Sequence, residues 1–173
     1  MKRRQVIATG LATLFGSITS VAAKSKRPKT DAPARMTLRT GSGDAQRARL
    51  GTYCWHTRCV DYLGMPHPAA ALLAGAGAAL TLQFKRLGKP GGLTYEIWQF
   101  DDSEPGGTGR QGYIGDEPIA SDSFRSPQSP LALPDDLPPG LYVVDVYASM
   151  RWGGDTAQGF KVRIQPNTSG TSS

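Results

Sequence analysis

The feature that most constrains the fold of this chain is a series of short runs in which apolar and polar residues alternate and which end at glycine or proline. Alternation with a period of two, in segments rich in β-branched and aromatic residues, predicts half-buried β-strands. No long amphipathic helix is predicted, so the chain is expected to be all-β, with turns between short strands. The clearest runs are residues 80–84, 93–97, 141–147 and 160–164.

The composition supports a folded, turn-rich domain. The chain has 173 residues, of which 21 are Gly and 13 are Pro. This proportion exceeds the average of soluble proteins but stays below the roughly 25–30% that marks low-complexity disorder. The length suits one domain with extensions, which excludes large multidomain enzymes and collagen-like fibres.

Two sequence-local hairpins are predicted. Residues 80–87 are expected to pair with residues 93–100 across a Pro-Gly-Gly turn, and residues 141–150 with residues 159–164 across Trp152-Gly153-Gly154-Asp155. Residues 69–80 are rich in Ala and Leu, but Gly75 and Gly77 interrupt any helix there. That segment is interpreted as a short strand, a turn and the strand that starts at Leu80.

The segment from Leu137 to Ala148 resembles the approach to a late strand in immunoglobulin-like sandwiches. In those domains a Pro-Gly turn leads into a strand whose early tyrosine packs back at a corner, and Tyr142 is the matching residue here. Residues 51–62, together with the last hairpin, resemble small exported bacterial proteins of this architecture whose function is unknown. The resemblance implies an immunoglobulin-like antiparallel β-sandwich, and it implies no catalytic residues.

The two ends of the chain differ in character from the middle. Residues 1–23 have a basic start, an apolar run and small residues at the −3 and −1 positions of a cleavage site after Ala23, as expected of a cleavable export signal. The Arg3-Arg4 pair resembles a twin-arginine signal, and both that route and the general secretory route remain open. Residues 24–34 are predicted to be a basic, disordered linker that forms a flexible N-terminal arm, residues 35–166 a β-sandwich domain, and residues 167–173 a disordered tail.

These segments predict a protein that is exported to the periplasm, the cell surface or the medium. Once the signal is removed, no stable insertion into a membrane is expected, because the only other apolar stretch, residues 69–82, is short and rich in Gly.

The positive charge lies at the N-terminal end. Residues 1–23 carry a charge of +3 and residues 24–39 carry +5, so the remaining residues carry −2 of the total of +6. The predicted domain therefore has no basic stripe with interleaved aromatic residues, and nucleic acid is not an expected partner.

The most unusual segment is the loop from Cys54 to Cys59. In an oxidising compartment two cysteines at this spacing predict a disulfide. The bridge would preorganise Trp55, His56 and Arg58 for contact with a partner, since Trp and Arg are enriched at binding hot spots. In the alternative interpretation Trp55 packs into the core and the bridge only fixes the end of a hairpin.

Other chemistry is weakly supported by the residues present. The cysteine spacing is not the Cys-x-x-Cys of redox-active sites, and a disulfide would remove both thiolates from any zinc site formed with His56 and His67. A blue-copper site with Cys59, Met65 and His67 lacks the histidine required well upstream of the cysteine. The acidic residues of segment 101–122 lack the spacing of a calcium loop. His56 and Asp61 could form a base and its orienting group, but no nucleophile motif accompanies them. No metal and no cofactor are predicted.

The sequence therefore predicts a non-catalytic, exported binding module of the cell envelope or the medium. It is expected to recognise a protein or a glycan through the Cys54 to Cys59 loop and through Trp152 in the last hairpin turn. Two alternatives remain: a protease-inhibitor-like module that presents the disulfide loop, and a small metal-dependent or hydrolytic enzyme. The oligomeric state remains open.

Overall fold

The computed structural model of the chain describes residues 30–84, 90–103, 111–124 and 130–166. The described chain contains β-strands and no helix, and thus no helix that is long and apolar enough to cross a membrane. The predicted signal, most of the basic linker and the C-terminal tail lie outside the described residues. The strands are β1 (Thr37–Arg39), β2 (Ala45–Arg47), β3 (Arg49–Trp55), β4 (Arg58–Val60), β5 (Leu72–Ala74), β6 (Ala79–Gln83), β7 (Pro90–Phe100), β8 (Tyr113–Ile114), β9 (Ala120–Phe124), β10 (Pro130–Ala132), β11 (Gly140–Met150) and β12 (Asp155–Ile164).

The strands form two sheets. The smaller sheet has four antiparallel strands in the order β10-β6-β1-β2. The larger sheet has eight strands, and its central path runs β4-β3-β12-β11-β7-β8. One edge of β12 is shared, because β3 pairs with its first half in antiparallel fashion and β5 pairs with its last three residues in parallel. The outer edge of β7 is shared in the same way by β9 and β8.

The core lies between the two sheets. Alternation sends every second side chain of a strand to one face, and these faces carry the buried apolar residues of both sheets. Trp55, Tyr142 and Phe160 of the larger sheet are wholly buried, as are Leu38 and Leu80 of the smaller one. The predicted all-β sandwich is therefore confirmed, while its assignment to the immunoglobulin-like class stays a prediction.

Tyr142 occupies the corner that the sequence resemblance implied. Its side chain is fully buried, and its hydroxyl donates a hydrogen bond of 2.9 Å to the carbonyl oxygen of Pro138. The bond closes the turn that leads into β11. Burial raises the pKa of Tyr142 above its ordinary value, so the neutral phenol is the form that fits this site.

One of the two predicted hairpins is present and the other is wrong. Strands β11 and β12 pair along their length, from Gly140 opposite Ile164 to Ser149 opposite Asp155. In contrast, β6 pairs with β1 and β10 in the smaller sheet, whereas β7 pairs with β11 in the larger one. Alternation identifies the buried face of a strand but not the neighbouring strand, and the chain changes sheets between β6 and β7. The strand, turn and strand predicted for residues 69–80 are confirmed by β5 and β6.

The chain before β1 is fixed to the larger sheet by Gln158, a fully buried residue of β12. The Gln158 side-chain oxygen accepts a hydrogen bond of 2.8 Å from the backbone N–H of Met36, and its amide nitrogen donates to the carbonyl oxygen of Ala34 at 3.1 Å. Packing therefore begins slightly before residue 35, since Ala32 and Ala34 contact the core.

Candidate functional site

The predicted disulfide is present and closes a tight hairpin. Cys54 of β3 lies opposite Cys59 of β4, and the two residues are bonded through their sulfurs. Trp55 pairs with Arg58, so only His56 and Thr57 form the turn. His56 has a φ of 55°, in the left-handed region that residues other than glycine seldom adopt. The bridge and the strand pairing hold this strained turn in place.

Beneath the turn lies a cluster of three aromatic rings. Trp55 is wholly buried and meets Trp152 edge to face, with ring centroids 4.7 Å apart. The exposed His56 stacks on Trp152 at 5.2 Å. Trp55 is therefore a core residue that supports the hairpin, and its predicted direct contact with a partner is not compatible with its burial. His56 and Arg58 are exposed at the hairpin, as a contact with a partner requires.

Trp152 is half-buried because it folds back over its own turn. A Cβ atom at Gly154 would collide with the indole ring, so this position accepts only glycine unless the ring moves. Part of the indole surface therefore packs against Trp55 and His56. The structure brings three of the predicted site residues, Trp55, His56 and Trp152, into one cluster.

A groove lies on the outer face of the larger sheet, defined as the face turned away from the smaller sheet. Val146 and Ala148 belong to the core, so Tyr147 between them points outward, and 42% of its surface is exposed. The groove has a volume of about 930 Å³. Its lining combines the small or polar residues Thr52, Gly92, Thr94, Ser123, Ser149, Arg151 and Asp155 with the larger apolar residues Leu93 and Phe124 and with Tyr147.

The groove continues into a narrower cleft of about 230 Å³, which shares Thr52, Tyr147 and Ala157 with it. The carboxyl groups of Glu96 and Asp145 line this cleft from neighbouring positions of β7 and β11. Glu96 accepts a hydrogen bond of 3.1 Å from the indole N–H of Trp98. The cleft is thus the acidic part of the outer face.

A buried polar cluster, which the sequence did not predict, closes one side of the cleft. His67 Nε2 lies 2.8 Å from Asp145 Oδ1, and the Tyr113 hydroxyl donates to Asp145 Oδ2 at 2.6 Å. The side chains of His67 and Asp145 are 5% and 3% exposed. The sequence signal that could have revealed this cluster is Asp145, a lone acidic residue inside an apolar strand. A buried carboxylate requires hydrogen-bonding partners, so such a residue indicates a polar cluster around it.

Two glycines let the chain after β4 lie directly on the sheet. A Cβ at Gly159 would come within 2.6 Å of the carbonyl oxygen of Pro66, and one at Gly51 within 2.9 Å of the Met65 sulfur. Residues 65–67 therefore pack against bare backbone, and this contact carries His67 to Asp145. Met65 of this segment lines the cleft together with Tyr113.

The structure gives separate partners to the two residues that could have formed a base and its orienting group. His56 and Asp61 do not act together, because His56 stacks on Trp152 and Asp61 accepts a hydrogen bond from Thr52. Across the described ranges, no group of three or more His, Cys, Asp and Glu side chains could hold a metal ion.

The predicted acidic loop falls partly outside the described residues. Within it, the backbone N–H of Ser103 donates to Asp101 and holds the pKa of that exposed carboxyl below its ordinary value.

Another cavity lies at the β4 edge of the larger sheet and is called here the arginine cavity. It has a volume of about 250 Å³ and is lined by Arg35, Arg49, Leu50, Tyr53, Arg58, Val60, Tyr62 and Pro66. Tyr62 also lines the cleft of the outer face, so the two concave regions adjoin at this residue. Arg58, predicted as a site residue, therefore lies next to two arginines that are distant in sequence.

Comparison of the chain with protein-family models and with curated proteins finds no match in either case.

Proposed function

We propose that this protein is an exported, non-catalytic binding module that holds a glycan chain in the groove and cleft of its outer sheet face. The observation that supports it is the lining of the groove, in which an exposed tyrosine ring is surrounded by hydroxyl groups and small side chains. Sugars present both apolar C–H faces and many hydroxyls, and such a lining offers a stacking surface together with hydrogen-bonding partners.

The volume of the groove and its continuation into the cleft favour an extended ligand. Its volume of about 930 Å³ lies at the upper end of the range for ligand pockets, roughly 300–1,000 Å³. The adjoining cleft extends it toward Tyr62, whose ring is 51% exposed. A chain lying along this face can therefore contact Tyr147 and Tyr62 in succession.

A glycan is favoured over a protein partner by the same lining. Protein interfaces are usually centred on large apolar or aromatic anchors that fill pockets of the partner. Here the groove has one exposed ring, that of Tyr147, and is otherwise lined largely by Thr, Ser, Gly and Ala, with Leu93 and Phe124 as its larger apolar residues. The two-residue turn at His56 and Thr57 is also unlike the extended loop that a protease cleft accepts, which disfavours the inhibitor alternative.

The disulfide hairpin contributes to this site as a rigid wall. Thr52 of β3 and Asp155 of β12 both line the groove, and they lie next to the bridged pair. Because the bridge limits motion of the hairpin, less conformational entropy is lost when a ligand binds beside it. The sequence-predicted loop therefore serves to preorganise the groove.

The experiment is a titration of the mature protein with a panel of neutral and acidic oligosaccharides, followed by calorimetry on those that bind. Tyr147→Ala is expected to weaken binding by about tenfold or more, because removal of a stacked ring loses on the order of 1–3 kcal/mol. Leu73→Ala is the matched control, since Leu73 is similarly exposed at 49% and lies on β5, outside the groove.

Two results would overturn the proposal. One is a wild-type protein that binds no oligosaccharide of the panel, and the other is Tyr147→Ala binding as tightly as wild type. The chain length of each oligosaccharide is measured after incubation, and shortening would contradict a non-catalytic role.

A further inference from the structure

We propose that the arginine cavity binds the carboxylate groups of an acidic polysaccharide, so that the glycan recognised by this protein carries uronic-acid-type residues. This inference rests on the proposed function, because it assigns the chemical class of the ligand of that same surface. It extends the site from the outer face over Tyr62 to the edge of the sheet.

The cavity gathers positive charge from three separate parts of the chain. Arg35 precedes β1, Arg49 begins β3 and Arg58 begins β4. No acidic residue is among those that line the cavity. In the part of the chain that the structure describes, the close contacts between basic and acidic side chains are His67 with Asp145 and Lys161 with Asp102, and neither includes these arginines.

The fold holds the three arginines near one another by fixed contacts. Met36, which follows Arg35, is hydrogen-bonded through its backbone to the buried Gln158. Arg58 lies opposite Trp55 beside the disulfide, and Arg49 pairs with Gly159 in the sheet. Like charges brought together on such anchored backbones repel one another, and a bound anion relieves that repulsion.

Guanidinium groups are suited to this ligand. A planar guanidinium forms two parallel hydrogen bonds to a carboxylate, an arrangement that is stronger and more directional than a single contact. The exposed Tyr62 lines the same cavity and supplies surface for the sugar that carries the acid. The volume of about 250 Å³ is below the range of drug-sized pockets, roughly 300–1,000 Å³, and suits one charged sugar unit of a longer chain.

The charged residues on either side of Tyr62 determine where an acidic glycan places its carboxylate groups. The cleft on one side contains Glu96 and Asp145, whereas the cavity on the other side contains only arginines as charged residues. A carboxylate is repelled by the first region and attracted by the second. An acidic chain is therefore expected to place its uncharged faces against Tyr147 and a carboxylate in the arginine cavity.

The test uses calorimetric titration of the mature protein with a galacturonic acid oligomer, a neutral galactose oligomer of equal length, and inorganic phosphate. The acidic oligomer is expected to bind at least tenfold more tightly than the neutral one, and its affinity should fall with added salt. Arg49→Ala and Arg58→Ala are each expected to weaken the acidic oligomer about fivefold to tenfold and to leave the neutral oligomer unchanged.

Arg47→Ala is the matched control, because it removes the same charge from β2 of the smaller sheet, outside the cavity. Equal affinity for acidic and neutral oligomers would overturn this inference while the proposed function stands. A protein that binds neither oligomer overturns this inference, and one that also binds no other oligosaccharide of the panel overturns the proposed function as well. Phosphate binding as tightly as the acidic oligomer, with the same loss on Arg58→Ala, would identify a general oxyanion site and contradict the assignment to a polysaccharide.

Discussion

The carboxylate of Asp155 accepts a hydrogen bond of 2.9 Å from the backbone N–H of Cys54, although the two residues lie 101 positions apart. They also face each other in the pairing of β12 with β3. The bond therefore links the disulfide hairpin to the turn of the β11–β12 hairpin, the same two elements whose rings meet at Trp55 and Trp152.

Removal of this carboxylate is expected to loosen the hairpin locally. Asp155→Ala should lower the free energy of unfolding by about 1 kcal/mol, the usual contribution of one exposed hydrogen bond. Hydrogen exchange at the Cys54 amide should become at least several-fold faster, as NMR would show. Asp155→Asn retains an acceptor oxygen and should stay close to wild type; equal exchange in all three proteins would contradict the link.

Loss of the disulfide is expected to affect the hairpin more than the domain. Replacing Cys54 and Cys59 by Ser should lower the free energy of unfolding by about 2 kcal/mol, because a loop this short removes little entropy from the unfolded chain. The fold should persist, as judged by circular dichroism, while backbone amides of residues 55–58 exchange faster. Global unfolding at room temperature would show that the bridge has a larger role than the structure indicates.

A methyl group at Gly159 is expected to displace the segment that covers the sheet. Gly159→Ala would place a Cβ within 2.6 Å of the Pro66 carbonyl oxygen, and the resulting overpacking should lower the free energy of unfolding by about 1–3 kcal/mol. The NMR signals of the His67 ring should shift, since that segment carries His67 to Asp145. Gly41→Ala is the control, because no atom lies within 4 Å of a Cβ there. Equal effects of the two changes would be inconsistent with the close packing.

The corner tyrosine is expected to make stability depend on pH in the alkaline range. Burial raises the pKa of Tyr142 above 10.0, so the folded protein retains the phenolic proton more strongly than the unfolded chain. This contribution is complete below the unfolded pKa of about 10 and is lost as the pH rises through the folded pKa. The free energy of unfolding should therefore fall as the pH rises above about 10.

The variant Tyr142→Phe separates this effect from other alkaline titrations. It should lower the free energy of unfolding by about 1 kcal/mol at neutral pH, through loss of the bond to Pro138, and it should show a weaker decline at alkaline pH. Tyr95, whose pKa is raised by burial and by the charge of Asp122, titrates in both proteins and cancels in the comparison. Parallel curves of urea-unfolding free energy against pH would refute the assignment to Tyr142.

The local parts of the fold could be predicted from the sequence. Alternation placed the strands around Leu80, Tyr95 and Val144, and the compartment expected for the chain led to the Cys54 to Cys59 bridge. The corner at Tyr142 followed from a resemblance over about a dozen residues. Each of these features depends on residues that are close together in the chain.

The features that were missed depend on distant residues. Nothing in the alternation of β6 and β7 specifies that they belong to different sheets, because an apolar face can pack against either. The meeting of His67, Asp145 and Tyr113, and that of Arg35, Arg49 and Arg58, follows only from the complete topology. Summing the charge along the chain did not reveal this group of arginines. Arg35 was counted with the N-terminal basic segment, whereas Arg49 and Arg58 belong to the part of the chain whose net charge is slightly negative.

The order of strands also determines how many backbone groups the edges of the sheets leave unpaired. The three long strands, β7, β11 and β12, lie inside the larger sheet, whereas the strands that end the sheet paths, β2, β4, β8 and β10, have only two or three residues each, and β9, which pairs only with β7, has five. Short edges offer few unpaired backbone groups for another chain to extend, and Arg58 adds charge to one of them. The same arginine that we assign to ligand binding thus also discourages aggregation through the β4 edge.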